Sequence, residues 1–110
     1  MIQGEIYLAK LEPVEGSEQG GTRPVVIISG NTMNEHFNVV ICCPISKQIK
    51  NYNGCVVLKK SDLNRLSADS EVITFQVRSL SKNRLKKKLG TITPQELSVI
   101  HRGLQDVMMY

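Results

Sequence analysis

A mainly β chain with a single C-terminal helix is the fold class this sequence predicts, on three observations. Short apolar or alternating runs recur through the first two thirds of the chain, each bounded by turn residues. Sustained helical spacing, with its own start signal, is confined to the last segment, from Thr93 onward. The 110 residues are enough for one domain, 1–110, and one core. Many short strands followed by one closing helix imply a small, strongly bent antiparallel sheet, or partial barrel, with the helix packed against it.

The elements follow in order. Gly4 to Lys10 alternates, with Ile6 and Leu8 set against Glu5, Tyr7 and Lys10, and reads as an amphipathic strand. A loop rich in glycine and acids, Glu12 to Thr22, leads to Pro24. The next four residues, Val25-Val26-Ile27-Ile28, are too apolar for a one-sided strand, so they predict a central strand buried on both faces, ended by Gly30-Asn31. His36 falls in a polar loop beside Asn34 and Glu35. Val39 to Cys43 forms a second dense run that is expected to stop at Pro44, which has no N–H for a ladder. Asn51-Tyr52-Asn53-Gly54 carries a hairpin-like turn signal before a strand at Cys55 to Leu58. Ser61 to Leu66 predicts one helical turn capped by Ser61. Val72 to Val77 and Leu89 to Ile92 read as the remaining strands. At the C-terminus, Thr93-Pro94-Gln95-Glu96 supplies an N-cap, a proline at the first helical position and a glutamate three residues after the cap. Leu97, Ile100, Leu104 and Val107 then form one apolar stripe.

Composition narrows the function classes. No run of about 18 apolar residues exists, which argues against a transmembrane helix. The N-terminus Met1-Ile2-Gln3-Gly4-Glu5 lacks the basic start and apolar centre of a signal peptide, so a cytoplasmic protein is expected. The 3 cysteines, Cys42, Cys43 and Cys55, are odd in number and lack CxxC spacing, which predicts free thiols in strands rather than disulfides or a zinc site. His36 and His101 do not pair at metal spacing and the acids are scattered, so neither a metal nor another cofactor is expected. Aromatics make up only 5% of the chain, with no Trp, too few for a platform of many stacking rings. The formal net charge is +4, and Lys82, Arg84, Lys86, Lys87 and Lys88 lie close together. That run attracts polyanions or guards a strand edge, and the two readings have equal weight.

Three segments carry candidate chemistry. In Glu18-Gln19-Gly20-Gly21-Thr22-Arg23-Pro24, glycines permit close backbone approach to a ligand, and Arg23 stands where loop becomes scaffold. A guanidinium fork there suits a phosphate; the alternative is an ion pair with Glu18 or another loop acid. Ser46, just past Pro44, offers a hydroxyl that binds a phosphate oxygen or merely caps a turn. In Gln76-Val77-Arg78-Ser79, Gln76 and Arg78 are expected on one face of a strand, offering an amide to a base edge and a charge to the backbone. A cysteine nucleophile with a histidine base is disfavoured because the cysteines belong to buried-looking strands.

Taken together, Gly4-Glu5-Ile6-Tyr7, Leu11-Glu12-Pro13, the loop Gly16-Ser17-Glu18-Gln19-Gly20-Gly21-Thr22-Arg23-Pro24 with its strand, Pro44-Ile45-Ser46 and Gln76-Val77-Arg78-Ser79 resemble the MazF/PemK family of toxin ribonucleases over nearly the whole chain. The resemblance implies an SH3-like barrel of the MazF/PemK/CcdB kind and a homodimer with an RNA groove across it. It also implies a cognate MazE-like antitoxin whose disordered tail fills that groove. The substrate would be single-stranded mRNA, cut without a metal to leave a 2′,3′-cyclic phosphate and a 5′-hydroxyl. By position Arg23 matches the catalytic arginine and Ser46 a catalytic hydroxyl that is threonine in many relatives. Glu18, Gln19, Gly20, Gly21, Thr22, Gln76 and Arg78 fall in the segments associated with RNA contact. One position departs from the pattern: Phe75 stands where several relatives carry an acid. The departure is the main support for a catalytically inactive nucleic-acid- or antitoxin-binding barrel. A toxin acting on a DNA topoisomerase through the same fold lacks its motif here.

Overall fold

The run Val25 to Ile28 is buried throughout, and the sheet is organised around it. The computed structural model describes residues 1–11 and 21–110; Glu18, Gln19 and Gly20 therefore lie outside the described residues. Strand β2 (Thr22–Ile27) lies between β1 (Glu5–Lys10) and β3 (Val39–Ser46), antiparallel to both. Beyond β3 come β5 (Ser70–Val72) and β4 (Val56–Leu58), and beyond β1 comes β7 (Leu85–Thr91) at the edge. β6 (Arg78–Ser81) also pairs with β3.

Two cores explain why β2 is apolar on both faces. On one side Val26, Cys43, Ile45, Leu58 and Val72 meet Ile100 of helix α2 (Pro94–Met109). On the other, Ala9, Val25, Ile27, Val40, Cys42, Leu80 and Leu85 converge, bringing β1, β2, β3, β6 and β7 around one cluster. That convergence requires a strongly curled sheet, the partial barrel expected from the sequence. The curl is not a closed ring, since among the described residues no ladder joins β6 to β7.

Pro44 does not end its strand. β3 continues to Ser46, because the proline sits where the neighbour on one side of β3 changes. β6 pairs with Val39 to Cys42 and β5 with Ile45 and Ser46, so no partner requires an N–H from residue 44. Its carbonyl is used, accepting from Ile73 N at 2.9 Å. The expected strand at Val72 to Val77 is also corrected. β5 stops at Val72, Thr74–Gln76 forms a 3-10 turn, and β6 starts at Arg78, so Gln76 and Arg78 do not share a strand. Buried Thr74 holds this corner, its hydroxyl donating to Gly54 O at 2.8 Å.

Three smaller corrections follow the same logic. His36 lies not in a loop but at the end of a short helix, α1 (Asn31–His36), anchored by the buried Asn34 amide, which donates to Ser29 O at 2.8 Å. The turn at Asn53-Gly54 is present, but the strands it connects do not pair as a hairpin; β4 pairs with β5 instead. β7 is longer than Leu89 to Ile92 because the lysine-rich stretch before it is itself strand, exposed along the sheet edge. The turn at Ser61 forms as expected, with Ser61 Oγ accepting from Asn64 N at 3.1 Å. α2 has its full capping box: Thr93 Oγ1 accepts from Glu96 N at 3.1 Å and Glu96 Oε1 accepts from Thr93 N at 2.9 Å.

Helix α2 reaches the sheet through a glycine contact. A Cβ on Gly103 would lie 2.1 Å from Gly54 O, and Gly54 itself has φ +83°. Gly103→Ala must therefore displace the helix or the turn, and we expect a loss of about 1–3 kcal/mol, read as a lower urea midpoint.

Glu5 gives the fold a pH dependence. Its carboxylate, nearly buried, pairs with Lys88 Nζ at 2.6 Å and accepts from Ile2 N at 2.8 Å. Burial pushes its pKa up, but Lys88 and the Ile2 N–H outweigh this and hold it below the ordinary 4.5. The folded form thus favours the ionised carboxylate. This stability is present above the unfolded pKa and fades as pH falls through the lowered folded value. Melting temperatures of the wild type and Glu5→Gln should converge on acidification from about pH 6 to about pH 3.

Candidate active site

The β2–β3 register pairs Val25 with Pro44, Val26 with Cys43 and Ile27 with Cys42. Two residues beyond the Val25–Pro44 pair on each strand come Arg23 and Ser46. A pocket of 810 Å³ opens there, and both residues line it. Gly21 and Thr22 line the same pocket, so the two ends of the expected site meet in space. Gly21 has φ 70° and its carbonyl accepts from Leu11 N at 2.8 Å, which ties the two ends of the β1–β2 connection together.

The rest of the pocket wall comes from residues that sequence reasoning did not single out. Lys47 and Gln48 follow Ser46 directly, and Arg65 and Ser67 come from the turn capped by Ser61. That turn is rigid: buried Asn64 Oδ1 accepts from Ser61 N and Leu66 N, its amide donates to Lys59 O, and Arg65 is held at φ 56°. Nothing local in the sequence marks Arg65 as part of a site, because it reaches the pocket only through long-range packing; Thr91 N donating to Leu63 O at 3.1 Å fixes its turn against β7. Arg23, Lys47 and Arg65 give the wall three cations and, among the described residues, no carboxylate. Such a surface suits a polyanion. The nearly buried Ser46 hydroxyl accepts from Gln48 N at 3.1 Å, so it does cap a turn, a bond that leaves its own hydrogen to donate.

Gln76 lines a smaller adjoining pocket of 200 Å³ that shares Ser46 and Gln48 with the first. Arg78 lines neither; it lies opposite Cys42 on β6. His36 and His101 also lie outside both linings, and His101 Nε2 is 3.1 Å from Ile28 O, joining α2 to the end of β2. No group of three or more His, Cys, Asp or Glu side chains among the described residues is arranged to hold a metal ion. No helix among them is long and apolar enough to cross a membrane.

Residues 2–108 match the model of a family described as the PemK-like, MazF-like toxin of type II toxin–antitoxin systems. The chain belongs to that family. A curated relative, the endoribonuclease MazF of Staphylococcus saprophyticus, is 40% identical over 106 residues, covering 94% of this chain and 88% of that protein. Among solved structures, MazF from Deinococcus radiodurans superposes with a TM-score of 0.85 at 23% identity, covering 100% of this chain and 97% of that one. An endoribonuclease from a mycobacterial species, solved in complex with its cognate antitoxin, superposes with a TM-score of 0.80 at 24% identity, covering 98% and 94%.

Within this MazF-like toxin the basic run Lys82 to Lys88 leads into and forms part of the edge strand β7. Lys82 Nζ bonds Asn34 O, Arg84 Nη1 lies 3.5 Å from Lys10 O, Lys86 Nζ donates to Asn83 O at 2.9 Å, and Lys88 pairs with Glu5. None of these residues lines either pocket.

Cys42 and Cys43 are fully buried, and burial pushes both thiols up to about 12, the charge of Arg78 offsetting this only partly for Cys42. We expect iodoacetamide to leave both unlabelled in the native protein and to modify both after unfolding, as read by mass spectrometry.

Proposed function

We propose that this chain cuts single-stranded mRNA at a short recognition sequence, without a metal, by attack of the ribose 2′-hydroxyl on the neighbouring phosphorus. Its class comes with its family: it is a toxin endoribonuclease of a toxin–antitoxin system. The observation that carries the finer reading is the pairing of Arg23 and Ser46 in one cationic pocket whose described lining has no carboxylate.

In this reaction the 2′-hydroxyl gives its proton to solvent water as the O2′–P bond forms, the P–O5′ bond breaks and the leaving oxygen takes a proton from solvent, giving a 2′,3′-cyclic phosphate and a 5′-hydroxyl. Negative charge grows on the non-bridging oxygens at the transition state. The Arg23 guanidinium and the Ser46 hydroxyl would bind those oxygens. A guanidinium keeps its proton throughout, so Arg23 acts as electrostatic stabiliser rather than as base. Gly21 and Thr22 line the path of the RNA backbone, with Glu18, Gln19 and Gly20 of the same loop as further contacts. Gln76 contacts a base, and Arg78 acts at longer range, from β6.

The same cationic groove suits an acidic, disordered antitoxin tail, which would block substrate by occupying it. A homodimer extending the groove, and action in the cytoplasm where mRNA is translated, complete the proposal.

The test is cleavage of a long mixed-sequence RNA in EDTA, with the ends mapped. Cutting at one short word with cyclic-phosphate ends is expected, and Arg23→Ala should lower kcat by on the order of 100-fold or more. Deoxyribose at the scissile nucleotide should abolish cutting and leave most of the binding, which is driven by phosphates. Cleavage of the deoxy substrate would overturn the mechanism. Intact RNA from the folded toxin would favour the non-catalytic barrel that Phe75 suggests.

A further inference from the structure

The smaller pocket beside Ser46 has a different chemistry from the groove it joins. Its lining includes Tyr52 and Phe75, whose rings meet edge to face at 5.3 Å between centroids with an interplanar angle of 84°. The chain has five aromatic residues, 3 Tyr and 2 Phe, and two of them meet here. Both stay about half exposed, 47% for Tyr52 and 49% for Phe75, although a pair serving only to pack would be buried. Two rings at right angles form a corner that gives a planar ligand one face to stack on and one edge to abut. Amides of Gln48 and Gln76 line the same space and offer both donor and acceptor to a heterocycle's edge.

The corner is built rather than incidental. Tyr52 arrives on a loop held by Glu71, a fully buried carboxylate that accepts from Lys50 N at 2.7 Å, Asn51 N at 3.3 Å and Tyr52 N at 3.0 Å. Phe75 sits on the 3-10 turn anchored through Thr74. Both supports are rigid, so little conformational freedom is left to lose when a ligand enters. Ser46 and Gln48 line both pockets, which places the corner next to the phosphate-binding groove.

We propose that Tyr52 and Phe75 form a nucleobase slot, holding one unpaired base of the RNA beside the phosphodiester bound at Arg23 and Ser46, with Gln48 and Gln76 reading that base's edge. The inference rests on the ribonuclease reading for the identity of the polymer. Phe75 in place of an acid then changes which base is accepted and leaves the phosphate site intact.

The experiment uses single-stranded oligoribonucleotides in which one 2-aminopurine is walked along the cleaved word, with deoxyribose at the cut where the wild type cuts. Stacking quenches 2-aminopurine fluorescence, and the toxin's lack of Trp keeps the background low. One position should be quenched on binding to the wild type. Phe75→Leu and Tyr52→Leu keep apolar bulk without a ring; they should abolish that quenching and weaken binding or raise KM about 5- to 100-fold, with little change in kcat. Phe75→Trp should restore both. Absence of a quenched position, or quenching unchanged in Phe75→Leu, overturns the slot, while cleavage by the wild type still upholds the ribonuclease. Ring-dependent quenching from a toxin that cuts nothing upholds the slot and removes the ribonuclease reading.

Discussion

Much of this structure depends on the hydrogen bond from Ile73 N to Pro44 O. A proline in the middle of a sheet is ordinarily a stop, because the ladder loses a donor and gains a ring. Here β3 exchanges neighbours at that residue, from β6 to β5, and only the carbonyl is needed. The exchange lets β3 run on to Ser46, in the wall of the pocket that Arg23 also lines. It also draws the chain after β5 back across β3, so that the 3-10 turn bearing Phe75 and Gln76 forms beside the same serine. One irregularity thus sets the cationic pocket and its aromatic neighbour side by side.

Buried polar groups, more than apolar ones, hold the site's geometry. Glu71 gathers three backbone N–H groups of the 50–52 loop, Asn64 organises the turn that carries Arg65, and Thr74 pins the corner to Gly54. Each is nearly or fully enclosed, and each would carry a desolvation penalty if its partners moved. A loop held in this way is costly to rearrange, which would suit the proposed presentation of charge and hydroxyl to a transition state without reorganisation. The apolar clusters on the two faces of β2 give the sheet its curl but leave the pocket's chemistry to these polar anchors.

Under the proposed function, the groove and the slot beside it divide recognition in a physically natural way. Arg23, Lys47 and Arg65 bring charge, which any phosphate backbone would satisfy, while the rings and amides of the smaller pocket would discriminate among bases. The same division would let family members share one cleavage site and differ in the word they read.

What the sequence determined by itself was whatever rests on local periodicity and caps. The Thr93–Glu96 capping box, the doubly buried run at Val25 to Ile28, the Ser61 turn and the buried thiols of Cys42 and Cys43 were legible for that reason; motifs singled out Arg23 and Ser46, which line one pocket. Local pattern misled at Pro44, at Val72 to Val77 and at His36. There the outcome turned on which neighbour β3 pairs with and on what Thr74 and Asn34 find to bond. Arg65, Tyr52 and the meeting of Arg23 with Ser46 were decided by tertiary structure alone, because strand register and long-range hydrogen bonds join residues whose separation along the chain carries no signal of their contact.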